Sequence, residues 1–171
     1  IKMFIHAEPN NGDILSDNEI NAFLRFGSDY ENNYYEIELP LKVTRPSLID
    51  QNSSNLARII WPEENEINLS IEELLSLKSL RNRENIDINS PFSKISSNGK
   101  YILRIKGRPS IGSILNFMIG VKNPLSEDRS SKSACLWFNE LRLTDFDRTK
   151  GWAANTSLNL KLSDIGTVSS C

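Results

Sequence analysis

Apolar and polar positions alternate along much of this chain, and the alternation predicts strands. The densest stretch is 134–144, where Cys135, Trp137, Asn139, Leu141 and Leu143 fall on one side of a strand and Leu136, Phe138, Glu140, Arg142 and Thr144 on the other. The first set ends in two leucines and is read as the core side; the second turns charged and is read as reaching water. Asp145, Asp147 and Gly151 then break the run, as turn residues do. Residues 2–7 alternate as well, with Met3, Ile5 and Ala7 opposed to Phe4 and His6. Residues 21–28 and 33–41, separated by an acidic turn at 29–32, predict an antiparallel hairpin with Tyr35, Ile37 and Leu39 on one face and Tyr34, Glu36 and Glu38 on the other. A short strand is expected at 57–61, closed by Pro62, and another at 101–106. Residues 113–122 are the most apolar run and are expected at the centre of a sheet.

One helix is predicted, over about 71–81. Ser70-Ile-Glu-Glu73 is a capping box, with Ser70 accepting from the Glu73 N–H and Glu73 reaching back. Ile71, Leu74, Leu75 and Leu77 follow at helical spacing, so their face should lie on the sheets or on a neighbour. Polar stretches at 8–17, 42–56, 85–100 and 123–133 read as loops.

The 171 residues suit one domain with a core that needs no staples. Twenty Lys and Arg against 22 Asp and Glu leave a net charge of −2, so neither nucleic acid nor an anionic membrane surface is favoured as a partner. There is no apolar run long enough for a transmembrane helix, which leaves barrel strands open. The chain opens mid-pattern on Ile1-Lys-Met-Phe-Ile5 and reads as a piece of something longer. Its two cysteines, Cys135 and Cys171, are too few for a disulfide scaffold, and Cys135 is read as a buried, inert thiol.

Candidate chemistry is sparse. His6 is the only histidine and has the look of a structural residue. Asp13, Asp17 and Glu19 lack the fixed spacing of a calcium loop. Gly107-Arg-Pro-Ser-Ile-Gly112 has no Gly-Lys-Ser/Thr after it and is not a phosphate loop. Asp145 and Asp147, two apart in a turn, fit backbone capping better than acid–base work. Trp61 is read as a packing anchor rather than a ligand platform. No catalytic constellation is present, and neither an enzyme nor a cofactor is expected.

The run Trp137-Phe-Asn-Glu-Leu-Arg-Leu-Thr-Asp-Phe-Asp147, followed by Gly151-Trp-Ala-Ala154, resembles a signature of the SprA (Sov) family of giant outer-membrane proteins in type IX secretion and gliding motility. Arg25-Phe-Gly-Ser-Asp29, Asn33-Tyr-Tyr-Glu-Ile-Glu-Leu-Pro-Leu41, Ile60-Trp-Pro-Glu-Glu-Asn65, Gly107-Arg-Pro-Ser110 and Met118-Ile-Gly-Val121 agree in the same order. Only the loops at 45–55 and 125–132 fall outside the resemblance. It implies part of a very large outer-membrane barrel that exports folded cargo carrying C-terminal type IX signals. It also implies a porin-like outer-membrane partner and a plug protein that closes the pore.

The tail sets Thr156, Leu158, Leu160 and Leu162 against Asn155, Ser157, Asn159 and Lys161, with a turn at 163–166 before Thr167 and Val168. A lipid-facing barrel strand and a half-buried sandwich strand share this pattern. The resemblance, in which the segment after Gly-Trp-Ala-Ala runs into the barrel, favours the first.

The expected fold is therefore mainly β: a jelly-roll-like antiparallel β-sandwich over 1–150 with one inserted α-helix, then a linker and barrel-strand segment over 151–171. Two functions from different classes follow. One is a non-catalytic structural and interaction domain of an outer-membrane translocon, with Leu74 and Leu77 as candidate contacts. The other is a carbohydrate-binding β-sandwich module at the cell surface, with Tyr30 and Tyr34 stacking on sugar rings; cross-strand packing of these tyrosines is the plainer reading.

Overall fold

A computed structural model describes residues 1–10, 13–45, 52–124, 130–144, 158–162 and 166–170. Strand β1 (Lys2–Pro9) and the hairpin partners β2 (Asn21–Gly27) and β3 (Tyr34–Pro40) come first. They are followed by helix α1 (Leu56–Ile60), strand β4 (Ile67–Asn68) and helix α2 (Ile71–Arg83). Strands β5 (Phe92–Ile95), β6 (Ile102–Lys106), β7 (Asn116–Lys122) and β8 (Ala134–Arg142) complete the body, and β9 (Leu158–Leu162) pairs with β10 (Gly166–Ser170) as a two-stranded ribbon.

Two antiparallel sheets carry the core. The larger has five strands in the order β5-β6-β3-β2-β7 and the smaller three in the order β4-β1-β8. Alternation decides what each presents inward. Met3, Ile5 and Ala7 from β1 meet Ala22, Leu24, Phe26, Tyr35, Ile37 and Leu39 from the β2–β3 hairpin in one buried cluster, joined by Leu103 and Ile105 of β6. Each Leu, Ile, Met or Phe side chain among them contributes about 1.5–3 kcal/mol by leaving water. Among the described residues the strands close no barrel, and no helix is long and apolar enough to cross a membrane.

Helix α2 covers the core with Leu74 and Leu77. Ser70 Oγ accepts from the Glu73 N–H at 3.3 Å, as the capping pattern predicts. The reciprocal half of the box is not made, because the Glu73 carboxylate accepts instead from the Ser97 N–H and ties the helix start to the β5–β6 turn. At the other end the buried Arg81 guanidinium donates to the Gly107 carbonyl at 2.5 Å and to Asn82 Oδ1. Gly107 is no phosphate cradle: its φ is +69°, and a Cβ there would lie 1.9 Å from the Asn32 carbonyl oxygen.

Several expectations are corrected. The run at 57–61 is helix α1, not a strand, so the described residues hold two α-helices; short apolar runs do not distinguish the two by periodicity. Pro62 stops this helix after one turn, and Trp61 N–H donates to Ala57 O at 2.8 Å. Two strands, β4 and β5, occupy stretches with little apolar character, and β5 joins the sheet by backbone pairing to β6. The apolar run at 113–122 forms β7 at the edge of the large sheet, not its centre. Cys135 is half-buried rather than enclosed.

The faces of β8 are corrected too. Leu136 and Phe138 lie opposite Ala7 and Ile5 and pack on the core, while Trp137 is exposed on the outer side. Between the Phe4–Asn139 and Lys2–Arg142 pairs, one residue of β1 faces two of β8, and Glu140 takes φ = 58°. This bulge reverses the parity of the strand. Beyond it, Leu141 and Leu143 line an apolar hollow with Ile1 and Phe26 but stay 40 and 53 % exposed, so the core-side reading of the two leucines is corrected as well.

Candidate interaction surface

The two sheets are unequal, and the inequality shapes one flank of the molecule. Strand β7 pairs with β2 so that Phe117, Ile119 and Val121 sit opposite Phe26, Leu24 and Ala22 on the core side. Their partners on β2 are no more than 1 % exposed, yet these three are between 40 and 54 % exposed. The cause is geometric: β7 and β8 are both terminal strands, and among the described residues no further strand pairs with either edge. Leu141 and Leu143, past the bulge, are open to a similar degree. A hollow of about 310 Å³ lies here, walled by Phe26, Phe117, Ile111, Ile114, Leu141 and Leu143, with Arg142 the one charged side chain in its lining. Apolar side chains on an inward face, left uncovered along two adjacent strand edges, make a surface suited to contact with another polypeptide.

The opposite, outward face of the large sheet is ionic and closed. Glu36 and Glu38 alternate outward from β3 as predicted, but both are buried, 0 and 4 % exposed. Arg25, Arg104 and Lys122 lie over them. Arg25 meets Glu36 at 2.6 Å, Arg104 meets Glu36 at 2.7 Å and also pairs with Glu38, and Lys122 binds both carboxylates. Asn21 Nδ2 donates to Glu38 at 2.6 Å. Burial pushes both carboxyls up, but hydrogen bonds from Lys122 with Arg25 on Glu36, and from Lys122, Asn21 and Arg104 on Glu38, outweigh it. Glu36 is held below the usual carboxylate range and Glu38 falls to about 2.

The four residues singled out from the sequence are not brought together. Tyr34 is buried, with the Arg25 guanidinium 4.1 Å from its ring centroid, so its face stacks on a cation of the sheet. Tyr30 is 36 % exposed, and its hydroxyl donates to the Phe117 carbonyl at 3.3 Å. That bond ties it to β7. Leu74 and Leu77 are enclosed in the core, so the helix face rests on the sheets rather than on a neighbour. Phe117, Ile119 and Val121, which sequence reasoning assigned to a sheet centre, are the residues it missed. Nothing in their apolar run reported that the opposing layer ends at β8.

His6 is structural. Its Nδ1 lies 2.6 Å from the Ile60 carbonyl, and its ring sits between Trp61 and Trp137 at centroid distances of 5.9 and 4.9 Å. Among the described residues no group of three or more His, Cys, Asp or Glu is gathered as a metal site.

The described residues thus form a mainly β domain of two antiparallel sheets with an uncovered apolar flank. The chain belongs to the SprA_N family, described as motility related/secretion protein, whose model matches residues 1–171. Comparison with curated proteins finds no match.

Proposed function

We propose that this domain is a non-catalytic structural and interaction module of an outer-membrane translocon serving type IX secretion and gliding motility. The uncovered flank of β7 and β8 supports this reading most directly, because a module that worked alone would gain by covering Phe117, Ile119 and Val121. Membership of a motility and secretion family supplies the context. In this reading residues 1–150 form a jelly-roll-like sandwich, 151–171 carry the chain towards barrel strands, and the flank rests on the rest of the barrel. The working partners are a porin-like outer-membrane protein, a plug protein and cargo with C-terminal type IX signals.

The test is made on the native parent. Cells are fractionated, the envelope is extracted with mild detergent, and the parent is followed with an antibody to this segment. The expected result is a very large outer-membrane polypeptide co-purifying with a smaller barrel protein, with partner yield reduced by Ile119→Lys. A soluble secreted band near the size of this chain would overturn the reading.

A further inference from the structure

A cleft of about 870 Å³ runs between the outer side of β1, the segment from Trp61 to Glu66 and the turn at Gly99. It shares Arg58 and Glu64 with an adjoining hollow of about 440 Å³ that reaches Asp17, Lys42 and Thr44. The combined groove is remote from the β7–β8 flank in its lining, and no role described so far uses it.

Its walls have a particular chemistry. Two aromatic rings, Phe4 and Trp61, line the larger part. Trp61 is half-buried, its ring in a T-shaped contact with the His6 ring, and among the described residues no hydrogen bond engages its indole N–H. The charged groups are nearly balanced: Lys2, Lys42, Arg45, Arg58 and Lys100 against Asp17, Glu63, Glu64 and Glu66. Most are also fixed. Lys42 pairs with Glu64 at 2.7 Å and Lys2 with Glu66 at 2.6 Å, while the Lys100 ammonium donates to the Glu63 and Glu66 carbonyls at 2.7 and 2.6 Å.

A balanced lining does not select a strongly charged ligand. What it offers is donors and acceptors side by side, held in place, next to the Trp61 indole, while the Lys2 ammonium lies over the Phe4 ring 5.3 Å from its centroid. Hydroxyl groups both give and accept, and the C–H face of a pyranose stacks on an indole. A peptide would call instead for apolar side-chain pockets, and the most apolar hollow lies on the other flank. We propose that this cleft binds a short neutral oligosaccharide, with Trp61 as its stacking platform and Arg58 as a hydrogen-bond donor. The site differs from the tyrosines first considered for sugar binding, and it is independent of the contacts assigned to β7 and β8.

The test uses the whole chain with chitotriose, cellotriose and maltotriose as probes, read by the NMR shift of the Trp61 indole N–H. At least one trisaccharide should move that resonance saturably. Trp61→Ala, which lacks that resonance and is followed by calorimetric titration, should weaken binding tenfold or more, counted as about 1.4 kcal/mol. Arg58→Ala, an exposed change that leaves the core untouched, should weaken it several-fold, and Trp137→Phe should leave it unchanged. Trp61 resonances that stay still with all three sugars would overturn the proposal. So would Arg58→Ala binding as tightly as the unaltered chain, or a response to a mixed-sequence peptide in place of the sugars.

Discussion

The ring of Phe23 lies across Gly120 so closely that a Cβ at position 120 would come within 2.6 Å of two ring carbons. The two residues face each other across the β2–β7 pairing. The ring also carries Lys122 at 5.0 Å and Arg25 at 5.8 Å from its centroid, so it roofs one end of the ionic cluster. Gly120→Ala should swing the ring away and lower stability by about 1–2 kcal/mol, measured by urea denaturation. In a Phe23→Ala background the same change should cost almost nothing.

Acid should weaken the domain through Glu36 and Glu38. Both carboxyls sit lower in the folded chain than in the unfolded one, so the native state binds fewer protons. Their contribution is complete above the ordinary 4.5 and is lost as pH falls through the folded value, about 2 for Glu38. Urea midpoints should therefore fall steeply over that window. The Glu36→Gln, Glu38→Gln double variant should be less stable at neutral pH and show a flatter acid limb.

Leu74 and Leu75 are adjacent in sequence and opposite in setting, 0 and 47 % exposed. Leu74→Ala should cost about 2–5 kcal/mol in a thermal or chemical melt. Leu75→Ala should stay within about 0.5 kcal/mol.

The paired residues Leu24 and Ile119 give a test of the open flank. Leu24→Ala should cost about 2–5 kcal/mol, as a fully enclosed site does. Ile119→Ala on the isolated chain should cost well under half of that, and its cost should rise once the natural contact covers β7. Equal penalties on the isolated chain would mean that the flank is already closed in solution.

Glu140 holds a left-handed backbone at the β8 bulge. Its carboxylate pairs with Arg142 at 3.5 Å on the surface. Glu140→Gly should relieve the φ strain and raise stability by about 0.5–1 kcal/mol, while Glu140→Val should lower it.

Much of the fold was legible because period-two alternation reports the inward face directly. The β2–β3 hairpin, the inward Met3, Ile5 and Ala7, and the capped start of α2 all follow from local chemistry. What escaped depends on distant parts of the chain. A one-residue bulge at Glu140 swaps the faces of β8 and leaves no trace in its composition, since a left-handed Glu carries no signature of its own. Strand β5 exists because β6 offers it an edge. The open flank was illegible for the same reason: Phe117, Ile119 and Val121 look like core, and only the width of the opposing sheet says otherwise. The burial of the two glutamates was illegible because Arg104 and Lys122, which help cover them, come from strands far along the chain.

That ionic cluster has a consequence for how the sheet assembles. Arg25 is on β2, both glutamates on β3, Arg104 on β6 and Lys122 on β7, so four neighbouring strands each contribute to one set of contacts. Sliding any of them by one residue would turn its charge into the core, and sliding by two would carry it a full repeat away from its partner. Apolar side chains alone tolerate a two-residue slip, because one leucine replaces another. The charges do not, and they act as a key that admits one alignment of the large sheet.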